Sequence, residues 1–107
     1  MFTTFNGVEL SVSPDGSKIT RLSTGRTLSQ WAKGDKKTSM TRLKVDIAGK
    51  KVYVHQLVAW AYLGPQPDGL EIDHIDENTL NNRYDNLQYI TSEANIAKSL
   101  RYRGIAA

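Results

Sequence analysis

The chain has 107 residues and a mass of 12.0 kDa, which allows one compact domain with a small appendage and excludes a two-lobed enzyme. Hydrophobic residues make up 39% and charged residues 23%, so we expect a folded protein with a modest core. The lack of cysteine excludes disulfides and Cys-ligated zinc. No apolar run is long enough to span a membrane and the start does not resemble a signal peptide, so we expect a cytoplasmic protein without a membrane partner.

The net charge is +3, and its distribution along the chain is uneven. Residues 1–52 carry ten basic and four acidic side chains, whereas the remainder carries four basic and seven acidic ones. The basic half favours a polyanionic partner such as nucleic acid. Six of the acids fall within residues 68–85, which form either a solvated acidic loop or the surroundings of a bound cation.

The N-terminal half is predicted to consist of β-hairpins. Residues 8–12 and 18–22 alternate around a Ser-Pro-Asp-Gly turn, and residues 42–47 and 51–54 form a second and clearer hairpin around a turn at 48–50. Residues 23–39 are interpreted as a loop with one short strand at most. The outward face of the second hairpin carries Arg42, Lys44 and Lys51, which are either solubility charges or a surface that contacts DNA phosphates.

The C-terminal half combines strands with helices. Residues 55–63 have helical composition and end at Gly64-Pro65, with His55 interpreted as a buried structural histidine. A strand at 70–73, a polar loop at 76–85, a strand at 87–90 and a helix at 92–103, capped by Thr91 or Ser92, complete the prediction. The two predicted parts are residues 1–54 and 55–107, which we expect to share one core.

One set of side chains in this half indicates chemistry. Asp73 and His74 end a strand, Asn86 precedes the next strand, and Asn95 lies in the first turn of the final helix. Carboxylate and amide oxygens are ligands that suit Mg²⁺ or Mn²⁺, and folding two strands and a helix together would place Asp73 beside Asn95. His74 has a side chain that can accept a proton from water near neutral pH, so the set suggests metal-assisted phosphodiester hydrolysis.

Residues 55–97 resemble the HNH endonuclease family, in the phage and intron-associated group whose third motif position is Asn. The blocks that carry the resemblance are His55–Ala59, Gly69–Asp76, Asn81–Leu87 and Thr91–Asn95, in the family's order. The resemblance implies an α+β protein in which a β-hairpin-rich N-terminal segment precedes a C-terminal ββα-metal motif. It implies that Asp73 and Asn95 hold Mg²⁺, or Mn²⁺, and that His74 activates water. It also implies that Asn86 braces the loop that orients His74, with Asn82 as the second candidate for this role.

The expected function is therefore that of a Mg²⁺-dependent HNH endonuclease that acts on double-stranded DNA and nicks one strand per active site. Lys98, one turn after Asn95, is either an ordinary exposed lysine or a residue whose ammonium meets the scissile phosphate, and Arg101 is expected to contact the DNA backbone. No structural zinc is expected, so packing against the N-terminal half has to support the motif. A non-catalytic DNA-binding module with the same fold is the alternative, and the sequence leaves open an RNA substrate, a homodimer and partners in a phage packaging complex.

Overall fold

The computed structural model describes residues 1–34 and 41–102, in which strands predominate over helices. The elements in chain order are β1 (Phe2–Phe5), β2 (Val8–Val12), β3 (Ile19–Arg21), β4 (Arg26–Thr27), β5 (Trp31–Gly34), β6 (Thr41–Ile47), β7 (Lys50–Tyr53), α1 (Val54–Tyr62), β8 (Leu70–His74), β9 (Leu87–Thr91) and α2 (Ser92–Tyr102). Antiparallel pairing joins them into sheets of order β1-β2-β3-β4, β5-β6-β7 and β8-β9. This arrangement confirms the predicted α+β class with hairpins first and a strand–strand–helix unit last. No helix in the described ranges is long and apolar enough to cross a membrane.

Two tight turns explain the hairpins of the N-terminal half. Asn6-Gly7 joins β1 to β2 and Ala48-Gly49 joins β6 to β7, and all four residues have positive φ angles between 51° and 86°. Two successive positive φ angles are typical of the type I′ turn, whose twist matches that of the flanking strands. The side chain of Asn6 also donates to the carbonyls of Ile47 and Ala48, which connects the first turn to the second.

The first strand was missed by the sequence prediction, which began the first hairpin at residue 8. The run from Phe2 to Phe5 pairs with β2 along its whole length, although its own residues are exposed or half-buried. Because its side chains do not show the pattern of a core strand, they gave no sign of it. The Asn-Gly pair that follows, which is typical of a hairpin turn, was the signal that could have predicted this strand. The prediction of at most one short strand in residues 23–39 was wrong, because the described part of this region contains two strands, β4 and β5. Residues 35–40 lie outside the described residues.

Helix α1 is the element that both halves share. Its residues Leu57, Val58 and Ala59 are fully buried, and the helix packs against β1, β2, β6 and β7 on one side of the chain and against β8 and β9 on the other. The helix follows β7 without a loop, because Tyr53 ends the strand and caps the helix; its backbone N–H donates to Oε1 of Gln56 at 3.1 Å. The boundary predicted at 54/55 therefore coincides with this direct junction, and the division into 1–54 and 55–107 stays a prediction.

The C-terminal unit forms as the sequence predicts. β8 and β9 pair in register from Leu70 opposite Thr91 to His74 opposite Leu87, and α2 packs across both strands. The Thr91 hydroxyl accepts the backbone N–H of Ala94 at 3.1 Å, so Thr91 rather than Ser92 caps the helix. A single 3-10 turn at Tyr84–Asn86 leads into β9.

The turn between β2 and β3 connects the N-terminal sheet to the loop of the C-terminal unit. The Tyr84 N–H donates to the Pro14 carbonyl at 2.8 Å. Gly16, with φ +73°, lies so close to α1 that a Cβ atom there would stand 2.7 Å from Val54 Cγ1 and 3.5 Å from Cβ of Asn82. Only glycine fits this close approach, so the turn seats directly on α1 and on the loop after β8.

Gly16→Ala should lower the free energy of unfolding by about 2 to 4 kcal/mol, because a methyl group both clashes with α1 and strains a positive φ angle. Gly7→Ala is the matched control, since its φ is +74° and nothing lies within 4 Å of the added carbon. The control should lose only about 1 kcal/mol from strain. Urea denaturation of the three proteins measures the difference, and equal losses in both variants would contradict the close-packed turn.

Candidate active site

The end of strand β8 presents two polar side chains to opposite sides of the ribbon. Asp73 is 5% exposed and His74 is 7% exposed. Asp73 faces the side on which Gln88 of β9 lies directly opposite, and the Gln88 amide donates to Asp73 Oδ2 at 2.8 Å. His74 faces α1, where its ring meets the ring of His55. A buried carboxylate and a buried imidazole thus follow each other, each held by its own neighbours.

The orientation of His74 is set by Asn82, which is itself only 3% exposed. Nε2 of the imidazole lies 2.8 Å from Oδ1 of Asn82. An amide oxygen only accepts hydrogen bonds, so this contact places the proton of the neutral ring on Nε2 and leaves the lone pair on Nδ1. In that tautomer Nδ1 is the basic nitrogen of the ring.

The second neighbour of His74 is His55, in the first turn of α1. The two ring centroids lie 5.1 Å apart in an edge-to-face arrangement, and His55 stacks in turn on Tyr53 at 5.3 Å. Burial lowers the pKa of His55 to about 3, with smaller contributions from the nearby His74 and Arg42. His55 is accordingly neutral at physiological pH and packs against His74 as an uncharged ring.

The loop that follows His74 is held by Asn86. Its backbone carbonyl accepts the N–H of Ile75 at 2.8 Å, its Oδ1 accepts the N–H of Asp76, and its Nδ2 donates to Asp76 and to the carbonyl of Asn81. Donation from Asn81, the Asn78 backbone and Asn86 lowers the pKa of Asp76. The hydrogen bonds of Asn86 thus close the loop that carries Asn82, whereas Asn82 makes the direct contact with the imidazole. The sequence prediction assigned the bracing of this loop to Asn86 first and to Asn82 second, and it did not foresee the direct contact between Asn82 and the imidazole.

Glu71 is a residue that the sequence prediction passed over. It lies two residues before Asp73 and so on the same face of β8, and its carboxylate accepts hydrogen bonds from Ser92 Oγ at 2.7 Å and from Asn95 Nδ2 at 2.9 Å. These two donors, Asn95 first, lower the pKa of Glu71. A carboxylate only accepts, so Glu71 fixes the nitrogen of the Asn95 amide toward itself and leaves Oδ1 available. Its i, i+2 spacing from Asp73 was the available signal.

Asp73 and Asn95 are the two side chains that the sequence predicts as ligands of a divalent cation. Within residues 1–34 and 41–102 no group of three or more His, Cys, Asp or Glu side chains converges as a metal cluster. A carboxylate oxygen and an amide oxygen are ligands of the type that Mg²⁺ and Mn²⁺ prefer. So small a protein ligand set suits a cation whose other positions are filled by water and by a phosphate.

The predicted DNA-contacting residues fall into two groups. In the second hairpin, Lys44 lies opposite Tyr53 and Asp46 lies opposite Lys51. Paired residues point to the same side of the sheet, as do alternate residues of one strand, so one face carries Arg42, Lys44, Lys51 and Tyr53. The Lys44 ammonium stands 4.6 Å and the Arg42 guanidinium 5.9 Å from the centroid of the Tyr53 ring. This set is called the basic face below. Lys98 and Arg101 belong to α2, but their side chains lie outside the described part of the chain.

A two-stranded ribbon closed by a helix, with an Asp-His pair at the end of its first strand, is the arrangement expected of a ββα-metal nuclease unit. Residues 52–97 match the model of the HNH endonuclease family. This match places that segment of the chain in the HNH endonuclease family, as the resemblance of residues 55–97 predicted.

Two individual proteins are similar over longer stretches. YosQ of Bacillus subtilis (strain 168), which is named as a candidate HNH homing endonuclease of the SPbeta prophage, is 30% identical over 86 residues, or 73% of this chain. The solved structure titled "DNA binding and cleavage by the HNH homing endonuclease I-HmuI" matches 100% of this chain with a TM-score of 0.72 and 28% identity. The chain spans 50% of the length of YosQ and 61% of the I-HmuI chain.

The stability of the protein should depend on pH between 7 and 5 because of His55. The unfolded chain binds a proton there near pH 6.5, whereas the folded chain does so only near pH 3, so acidification favours the unfolded state. We expect the free energy of unfolding in urea to fall by about 2 kcal/mol from pH 7 to pH 5. The carboxyl groups with lowered pKa values, Asp15, Glu71 and Asp76, start from ordinary values of 4.5 or less and contribute mainly below this window.

His55→Phe is the control for this prediction, because it keeps a ring at the position but removes the titrating group. The variant should lose most of the stability change between pH 7 and pH 5. A variant that retains the full change would show that another group causes it.

Proposed function

We propose that the chain is a metal-dependent DNA endonuclease that hydrolyses a phosphodiester bond at the end of β8. The observation that carries the proposal is the buried Asp73-His74 pair with its Asn82 contact, in a segment that matches the HNH endonuclease family. Buried ionisable groups of this kind are costly for stability unless they have partners, and they concentrate at functional sites. One such centre per chain supports nicking of a single strand.

The cation of this centre is Mg²⁺, with Mn²⁺ as a substitute, held by Asp73 and Asn95. The hydrogen bonds from Gln88 to Asp73 and from Asn95 to Glu71 support this assignment, because they fix both side chains before the cation binds. When bound, the cation supplies positive charge that stabilises the phosphoryl oxygens and the departing 3′ oxygen.

His74 is the general base. Its Nδ1 removes a proton from the water that attacks phosphorus, and the positive charge that forms on the imidazole is shared with the Asn82 oxygen through Nε2–H. Asn86 keeps the loop of Asn82 closed during this step. The uncharged His55 ring adds no second positive charge beside the base.

The basic face binds the DNA backbone. Its cations lie on the side of β6 and β7 that is turned away from the core, since Val45, Ile47 and Val52 occupy the opposite side. Cations spaced along a strand pair can follow successive phosphates. β7 runs directly into α1, and α1 packs against β8, so this one helix joins the basic face to the proposed hydrolytic centre.

Supercoiled plasmid should be nicked by the purified protein with Mg²⁺ or Mn²⁺, and His74→Ala and Asp73→Asn should each lower the rate by about 10²-fold to 10⁴-fold. Asp68→Asn is the matched control, since Asp68 is an exposed carboxylate in the turn before β8. The control should cut at the parental rate. If the protein bound DNA but cut it under none of these conditions, the result would contradict the nuclease function and favour a non-catalytic binding module.

The affinity for DNA should fall steeply as the salt concentration rises. The slope of log K against log salt should change when a lysine is removed from one face of the second hairpin but not from the other. Lys51 lies on the basic face, whereas the adjacent Lys50 pairs with Ile47 and points to the other side. Lys51→Ala should reduce the slope of log K against log salt by about 0.9, the value for one phosphate contact, and Lys50→Ala should leave it unchanged. Fluorescence anisotropy from 50 to 200 mM salt measures both, and equal slopes in the two variants would contradict binding by this face.

A further inference from the structure

We propose that Tyr53 and His55 act as positioning residues: their stacked rings hold the His74 imidazole against Asn82 and tie the general base to the basic face. The proposal deepens the function proposed above and rests on His74 being the base. It assigns to His55 a role beyond that of a buried structural histidine.

The first step is the confinement of the His74 ring. Nε2 of the His74 ring lies 2.8 Å from Oδ1 of Asn82, and this contact constrains the ring at one nitrogen. His55 meets the ring at 5.1 Å and at an interplanar angle of 65°, which is the edge-to-face geometry that aromatic pairs favour. A hydrogen bond and a ring contact together fix the direction of Nδ1.

The second step is the support of His55 itself. Its ring stacks on Tyr53 at 5.3 Å with an interplanar angle of 23°. Tyr53 is the last residue of β7 and the N-cap of α1, so its backbone is fixed by both elements. The Tyr53–His55 stack is therefore set by the junction between the hairpin and the helix, and it does not depend on the loop that carries Asn82.

The third step is the connection to the basic face. Lys44 stands 4.6 Å and Arg42 5.9 Å from the centroid of the Tyr53 ring. The ring that stacks on His55 therefore also contacts two of the cations that are proposed to bind phosphate. A continuous series of contacts runs from Lys44 through Tyr53 and His55 to His74. DNA that engages these cations acts on the same rings that align the base.

The chemistry of His55 fits a positioning role better than a proton-transfer role. A second charged imidazole 5.1 Å from His74 would oppose the protonation of the base, and burial keeps His55 neutral. The position needs a flat, uncharged ring, and a phenyl group meets that need. His55→Phe consequently distinguishes the two roles, because phenylalanine preserves the packing of a ring at this position but cannot transfer a proton.

The test compares His55→Ala with His55→Phe by NMR, independently of cleavage. The chain has two histidines, so each variant leaves His74 as its only imidazole signal. Long-range ¹H–¹⁵N spectra should show a single Nε2–H tautomer for His74 in His55→Phe and a mixture of tautomers in His55→Ala. A single Nε2–H tautomer in folded His55→Ala would overturn the proposal.

The rate of plasmid nicking gives the second readout. His55→Ala should lower kcat by about 100-fold, with KM for DNA and the midpoint of Mn²⁺ binding unchanged, because only the alignment of the base is lost. The rates of His55→Phe and of Tyr53→Phe should each lie within about threefold of the parental rate. Phe5→Leu, which removes a ring stacked on Trp60 of the same helix, controls for the loss of aromatic packing elsewhere on α1.

The outcomes separate this proposal from the proposed function. If the parental protein fails to cut but the tautomer changes as expected, the nuclease function is wrong and the positioning of His74 stands. If His55→Phe is as impaired as His55→Ala in a folded protein, His55 has a chemical role and the positioning proposal is wrong. Should His55→Ala fail to fold, Tyr53→Leu replaces it as the variant that removes the support of the stack, and an unchanged kcat there would equally overturn the proposal.

Discussion

The structure depends on a single constraint, which is that the strand–strand–helix unit cannot bury its polar residues alone. A two-stranded ribbon is marginally stable in water, and this one carries a buried carboxylate, a buried imidazole and two buried asparagines. Helix α1 supplies the missing layer. Its fully buried residues Leu57 and Val58 contribute to a core shared with the hairpins, and the helix also packs on β8 and β9. With no cysteine for a zinc site, this packing is the support that the sequence offers the unit.

Charge is divided between two surfaces that α1 connects. The basic face lies on the hairpin that runs directly into the helix, and the carboxylates Glu71 and Asp73 lie on the ribbon that packs against it. Hydrogen bonds order the ribbon side before any ligand arrives, since Gln88 donates to Asp73 and Asn95 to Glu71. Such order would lower the entropy cost of binding the proposed cation and phosphate, which is the advantage of a preorganised site.

Much of this fold was predictable because its signals are local. The second hairpin, α1, β8, β9 and α2 were placed within one or two residues of their observed ends, since alternation, helical periodicity and the Gly64-Pro65 stop depend on neighbouring residues. Strand β1 escaped prediction because its pairing depends on β2 and on a turn, while its own residues stay exposed or half-buried. Asp73 and His74 were recognisable from order and spacing in the chain.

The partners of these site residues were less predictable, because tertiary structure selects them. Asn82 and Asn86 lie in one polar loop, and only the path of the loop decides that Asn82 reaches the imidazole while Asn86 closes the backbone. Glu71 looked like one acid among six, and its contact with Asn95 arises from the packing of α2 across β8. His55 was expected to be buried and is half-buried, and its contact with His74 requires the register between α1 and the end of β8.

Native-state hydrogen exchange tests the central claim that the strand–strand–helix unit draws its stability from the N-terminal half through α1. The amides of Val45 in β6 and of Asp73 in β8 should exchange with the same free energy of opening, equal to the global free energy of unfolding, and both should fall together in Gly16→Ala. The account would be contradicted if the β8 and β9 amides exchanged while the hairpins stayed protected. In that case the free energy of opening of β8 and β9 would be several kcal/mol below the global free energy of unfolding.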